Sequence, residues 1–355
     1  MITVRKKYWP DKLPAVSTIT QTGGKKVAWL HSDSTVYAFY GADLFKSANW
    51  GEAWTAIATL PSTINQVRKL SDGKILVVSN SGKIYLSDAA EANFVKVHEF
   101  SAGATSEHNF GLRVYDQMIF ASEYGVKKNK AYMSHDNGAT WEQIFEHPDP
   151  DASHVHDICY DPYENLIWIT TGDGITQRNI FWSADFGNTW ETMPHDHHIS
   201  ATQIIPMPEC VLFGSDDFVG MTIWRHDRPD KGTHGSVVRP YPAWSPIKKW
   251  PYSTPWMNHA AIQFGGSGAA YFGWLQPASS VAVPSAIYGT RDGYTFAPIW
   301  VERNLPSTGA ASPLLGILGV YGPDSAGNLA ARLVSSYGGS DEQLLKIELP
   351  TWVEM

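Results

Sequence analysis

The sequence predicts an all-β fold, a single β-propeller of four-stranded blades spanning residues 1–355. Three observations predict it. First, Ser134-His135-Asp136-Asn137-Gly138-Ala139-Thr140-Trp141 and Ser183-Ala184-Asp185-Phe186-Gly187-Asn188-Thr189-Trp190 share one turn signature, S-x-D-x-G-x-T-W. Second, the steps from Ser47 to Ser87, Ser134 and Ser183 are 40, 47 and 49 residues, lengths that hold four short strands. Third, each copy follows three short β-rich runs, and no helix of useful length is apparent. Each residue of the signature has a physical reason. Ser and Asp bond the backbone of a tight turn. Gly takes the φ > 0 position. Trp packs under the turn as the next strand begins.

The elements follow in order, with strands A to D running outward in each blade. The first blade (25–60) has Val27–His31, Val36–Tyr40, Asp43–Lys46 and Trp54–Ala58, and its turn keeps Ser47, Gly51 and Trp54 with Asn49 for Asp. The second (65–100) has Val67–Leu70, Ile75–Val78, Ile84–Leu86 and Phe94–Val97. Its turn is degenerate, with Ala89, Glu91 and Phe94 replacing Asp, Gly and Trp. The third (108–147) has Leu112–Tyr115, Met118–Ala121, Ala131–Ser134 and Trp141–Phe145. The fourth (154–194) has Asp157–Tyr160, Leu166–Thr170, Asn179–Trp182 and Trp190–Met193, with Asp161-Pro162-Tyr163-Glu164-Asn165 as its first turn. The fifth (198–250) begins with Thr202–Ile205, Val211–Gly214 and Met221–Arg225. The sixth (257–303) has Ala260–Phe264, Ala270–Trp274, Ala286–Gly289 and Phe296–Val301, with a turn copy one residue short at Thr290–Phe296. The seventh (312–350) has only Leu315–Tyr321, Leu329–Ser335 and Gln343–Leu349, so the N-terminal strand Ile2–Lys6 is expected to close it. Seven blades are expected, with six as the rival count.

The signature resembles the Asp-box, or BNR repeat, of sialidase-like β-propellers, and through its repeats the resemblance covers most of the chain. It implies the propeller fold. Sialidases also carry an Arg-Ile-Pro motif, an arginine triad, a Tyr–Glu nucleophile pair and an Asp acid. This chain has no Arg-Ile-Pro, and Arg5, Arg68, Arg113, Arg178 and Arg291 do not assemble the triad. The sialidase catalytic motifs are absent, and activity does not follow from fold.

Bulk properties exclude several classes. Charged residues are 17% of the chain and the net charge is −8, so no basic stripe for nucleic acid is built. No apolar run reaches the ~18 residues of a membrane span. Cys159 and Cys210 lie in apolar runs and read as buried thiols. Met1–Pro10 has no apolar signal region, so a cytoplasmic or virion location is expected.

Propeller geometry puts the Asp-boxes, at C–D turns, on one face and the D–A and B–C loops on the other. On that second face His108, His154, His156, His197, His198 and His259 come at or just before successive A strands. Glu123, Asp173, Asp216 and Asp217 lie in B–C loops. Three readings stay open. The histidines satisfy backbone groups at blade tops, they bond a glycan, or His156, His198 and His259 hold a divalent metal. In plan the last resembles metal-dependent lyases such as oligogalacturonate lyase. A regular strand at His154–His156 would bring only one of the pair to the channel mouth. Glu123, Asp173 and Asp217 are the candidate acid/base groups. The Pro- and aromatic-rich stretch His226–Pro255, with Tyr241, Trp244, Trp250, Tyr252 and then Trp256, offers a sugar platform or a packing surface. The expected function is glycan or receptor binding, as in a phage tail or virion component, with self-association or other virion proteins as further partners. The alternative is a glycan-cleaving hydrolase or lyase on the same face.

Overall fold

The computed structural model describes residues 8–11, 17–106, 111–174, 176–193, 201–215, 222–228, 239–242, 270–273, 286–293, 295–301, 316–334 and 342–354. Its described residues form seven antiparallel sheets in chain order and one two-stranded ribbon. The first sheet holds Lys26–Leu30, Val36–Tyr40, Asp43–Ser47 and Thr55–Thr59. The second holds Ile64–Lys69, Ile75–Ser79, Lys83–Leu86 and Val95–Glu99. The third holds Leu112–Tyr115, Met118–Ser122, Lys130–Ser134 and Glu142–Glu146. The fourth holds Val155–Asp161, Leu166–Thr171, Ile180–Ser183 and Glu191–Thr192. The fifth holds Ala201–Met207, Cys210–Ser215, Thr222–Asp227 and Arg239–Pro242. The sixth holds Ala270–Gly273, Ala286–Thr290 and Ala297–Val301. The expected inner strand Ala260–Phe264 lies outside the described residues. No helix among them is long and apolar enough to cross a membrane.

The seventh sheet corrects the sequence reading. Gly316–Tyr321, Asn328–Val334 and Glu342–Glu348 are joined by Ser17–Gln21 as the fourth strand, in register from Ser17↔Ile347 to Gln21↔Gln343. The strand that completes this blade is therefore 17–21, and Ile2–Lys6 lies outside the described residues. Tyr8–Pro10 instead starts a ribbon with Trp352–Glu354.

The core sits between sheets, as expected when each sheet buries both faces against its neighbours. Val67, Ile75 and Val77 of the second sheet pack on Tyr37, Phe39 and Leu44 of the first. Equivalent clusters join the second to the third, the third to the fourth and the fourth to the fifth. Arg225 of the fifth donates to the Asp292 carbonyl of the sixth at 2.9 Å. Ile287 and Ala297 of the sixth pack on Ile317 and Leu329 of the seventh. Tyr321 and Leu344 of the seventh pack on Val27 and Val36 of the first. The inner strands are also linked by polar bonds. Tyr321 Oη donates to Val27 O, and the Arg68 guanidinium lies 4.9 Å from the Trp29 ring and donates to Leu112 O. Arg113 grips the fully buried Asp157 with two bonds of 3.1 and 2.7 Å, and Asp157 also accepts Ile204 N–H at 3.0 Å.

Strand A carries one further regularity. In five of the described sheets its pairing with strand B skips one residue, leaving Ala28, Asn65, His156, Thr202 and Leu318 as the extra residue of a bulge. A bulge re-aims the side chains around it.

Candidate functional site

The Asp-boxes are the features the sequence marks most strongly. In Ser134–Trp141 the Ser134 hydroxyl donates to Asp136 Oδ1 and accepts Gly138 N–H. Asp136 accepts Thr140 N–H at 2.8 Å and the Thr140 hydroxyl at 2.7 Å. Ser183, Asp185, Gly187 and Thr189 repeat the pattern. Asn49 replaces Asp in the first sheet and still accepts Ala53 N–H at 3.0 Å. In the second sheet the sequence alignment is corrected. Asp88, and not position 89, accepts Ala90 and Ala92 N–H. Glu91, at the glycine position with φ 63°, reaches the first sheet through Tyr37 and Lys46 and also binds Lys69. The box carboxylates are used by their own turns. Asp185 is held below the usual carboxylate range, first by the Thr189 hydroxyl and then by the Thr189 N–H.

The opposite face holds a different kind of cluster. His154 precedes, and His156 lies within, the inner strand of the fourth sheet. Asp173 stands in its B–C loop. Two positions apart along the chain, with the strand bulged at His156, their rings lie 4.6 Å apart between centroids. Both imidazoles lie beside the same Asp173 oxygen. The loop beneath Asp173 is tightly made. Thr171 Oγ1 donates to Gln177 O, Gln177 N–H and Arg178 N–H donate to Gly174 O, and Arg178 Nε donates to Asp173 O. Gly172, at φ 134°, has Arg178 Cα 2.9 Å from where a Cβ would sit, so only glycine fits.

Asp173 Oδ1 lies 3.5 Å from His156 Nε2 and 3.7 Å from His154 Nε2. The three ligand atoms fall within 4.8 Å of one another. Both imidazoles are nearly buried, whereas the Asp173 side chain is 59% exposed. Tyr124 covers the other side of His154, with ring centroids 4.1 Å apart. Burial, and then the neighbouring His156, push the His154 imidazole down to about 4, so it is neutral at neutral pH. Asp173 is held below the ordinary carboxylate range by the long contact from His156, with His154 and Arg178 adding to the effect.

Of the other expected site residues, Glu123 is placed apart in role. Its carboxylate is 1% exposed, accepting Ser101 N–H at 2.7 Å and the Tyr132 hydroxyl at 2.9 Å, and its carbonyl accepts Val155 N–H. It ties the second, third and fourth sheets together. His108, His197, His198, Asp216, Asp217, Trp244, Trp250, Trp256 and His259 lie outside the described residues. So of the expected metal set His156, His198 and His259, only His156 is described. Its described companions are His154 and Asp173, which the sequence puts on the same face without grouping the three as one metal set.

The family profile described as photosynthesis system II assembly factor YCF48, a BNR-repeat family, matches residues 9–208. No curated protein matches the chain. Solved structures similar to it include the WD40 β-propeller domain of Doa1, with 13% identity, coverage of 96% of this chain and 97% of that one, and a TM-score of 0.59. A second is oligogalacturonate lyase in complex with manganese, at 12% identity, 98% and 97% coverage and 0.57. A third is PorZ of the Porphyromonas gingivalis type-IX secretion system, at 10% identity, 98% and 39% coverage and 0.58. At these identities the likeness is one of fold.

Proposed function

The chain belongs to this BNR-repeat family of β-propellers, and on that premise we propose that it recognises a glycan on the face opposite its Asp-boxes. The observation that carries the proposal is the exposed Asp173 carboxylate standing over two buried imidazoles at one point of that face. A carboxylate accepts hydrogen bonds from neighbouring sugar hydroxyls, and imidazole nitrogens accept or donate beside it. The Asp-box carboxylates, by contrast, are occupied within their own turns. A receptor-binding component of a virion or tail is one setting for such a site. The family description concerns an assembly factor, so capture of a polypeptide in place of a sugar is the outcome that would replace this reading.

The test is a glycan array followed by calorimetry with the best ligand and with uronic-acid polymers. Binding by the full chain, weakened at least tenfold by Asp173→Asn, supports the proposal. Absence of any glycan ligand, or a ligand bound equally by Asp173→Asn, refutes it. A second reading, cleavage of the glycan, is favoured by the pairing of imidazoles with a carboxylate, the residue types of acid/base work. Release of shortened chains from a polymer by the wild type but not by Asp173→Asn would establish it.

A further inference from the structure

We propose that His154, His156 and Asp173 form a binding site for one divalent transition-metal ion, with coordination positions left open beside the exposed carboxylate. Three features carry this, and none depends on the glycan reading.

The first is spacing. The edges of 3.5 and 3.7 Å from Asp173 to the two Nε2 atoms are at or beyond the outer limit of an N–H···O bond. Ligands about 2.1 Å from a zinc ion in tetrahedral arrangement lie about 3.4 Å apart. The gap is therefore too wide for good hydrogen bonds and close to the edge of a coordination shell.

The second is the tautomer of His154. Its Nε2 is buried and has no hydrogen-bond partner among the described residues. With the proton on Nδ1, the ring can donate to the Gly125 backbone. That leaves the Nε2 lone pair facing a carboxylate oxygen 3.7 Å away. Two electron-rich atoms held face to face repel, and a cation between them converts the repulsion into attraction. A ring N–H donated to a backbone carbonyl is also the usual outer support of a metal-bound histidine.

The third is how firmly the set is held in place. His154, just before the inner strand, and His156, at its bulge, come from one continuous segment. Tyr124 packs on His154, and Gly172 N–H donates to the His154 carbonyl, joining the loop of the third ligand to the strand of the first two. Two imidazoles with one carboxylate suit Zn²⁺, Co²⁺, Ni²⁺, Mn²⁺ or Fe²⁺ better than Ca²⁺ or Mg²⁺, which prefer all-oxygen shells. Three protein ligands leave room for water or for an oxygen of a bound molecule.

The full chain, stripped with a chelator and dialysed, would be titrated with Co²⁺ followed by its visible absorption, and with Zn²⁺ by calorimetry. The expected result is one ion per chain, Zn²⁺ displacing Co²⁺, with affinity at least 100-fold weaker in His154→Ala and in Asp173→Asn. His135→Ala, at an exposed Asp-box histidine, would bind as the wild type does. Circular dichroism would confirm that each variant is folded, and Asp173→Asn, at an exposed side chain, keeps the test valid if His154→Ala unfolds. No stoichiometric uptake of either metal, or uptake unchanged in Asp173→Asn, would overturn the proposal. Metal uptake without any glycan ligand would leave this inference standing and remove the preceding one.

Discussion

Replacing Gly187 by alanine tests what the Asp-box glycine is for. At φ 91° an L-residue costs about 1–2 kcal/mol. The added Cβ would also lie 2.7 Å from Ile144 Cβ and 3.2 Å from Ile144 O, both on the preceding sheet. Neither atom is the free end of a side chain, so the sheets themselves must shift, at about 1–3 kcal/mol for overpacking. The two effects together give a loss of about 2–5 kcal/mol. Gly103 supplies the control, since its φ is 79° but nothing lies within 4 Å of its Cβ position. Gly103→Ala should lose only the conformational part, about 1–2 kcal/mol. Gly138→Ala should fall between, because its nearest contact, at 2.9 Å, is the movable Leu76 Cδ1. Urea unfolding followed by tryptophan fluorescence gives the three losses from midpoints at unchanged slope. Equal losses at Gly187 and Gly103 would refute the view that box glycines set the distance between sheets.

Other outcomes follow from the same contacts. Asp157→Asn should lose about 3–5 kcal/mol in urea unfolding, because it strips the counter-charge from Arg113 in the interior; a loss below 1 kcal/mol would show that the pair is not needed. Glu91 resists protonation down to about 2, since bonds from Lys46, Lys69 and Tyr37 outweigh its burial. Its pKa is depressed, so its contribution is complete above about 4.5 and is lost as pH falls toward 2. Stability between pH 5 and 2 should therefore fall less steeply in Glu91→Gln than in the wild type, by about 1 kcal/mol after allowance for solvent; identical slopes would contradict this. Cys210 is fully buried, and burial pushes its thiol up to about 12. A thiol reagent at pH 8 should modify it only after unfolding, and modification of the native protein by mass spectrometry would count against that.

Much of the fold was legible because its signals are local. The box at 134–141 carries its own hydrogen bonds, so its residues identify it wherever it stands. The closing strand was not legible for a physical reason. Ser17–Gln21 is an outer strand, exposed along nearly its whole length, so it carries no apolar alternation, and its place is fixed by backbone pairing with residues far along the chain. Ile2–Lys6 reads in sequence as a strand-like segment without a blade of its own. The site was half legible. His154, His156 and Asp173 were readable as residues on one face. Their convergence depends on how the loop of Asp173 folds back onto the strand, through bonds such as Gly172 N–H to His154 O, which leaves no mark in residue type. Glu123 shows the converse, a buried carboxylate on the expected loop whose Oε1 already accepts from Ser101 and Tyr132.

The pairing of Ser17–Gln21 with Glu342–Glu348 also bears on how the chain assembles as it is made. Ser17 and Ile347 stand about 330 residues apart, and closing a loop of that length costs about 5 kcal/mol in chain entropy before any contact repays it. The six sheets between are built from neighbours in sequence and can form as they emerge during synthesis. The segment 17–21 is synthesised first and finds its partner last. Until then the outer edge of the seventh sheet is an unpaired strand with free backbone groups, open to the same segment of another molecule. Exchange of this strand between two chains is therefore the misassembly to which this architecture is most exposed.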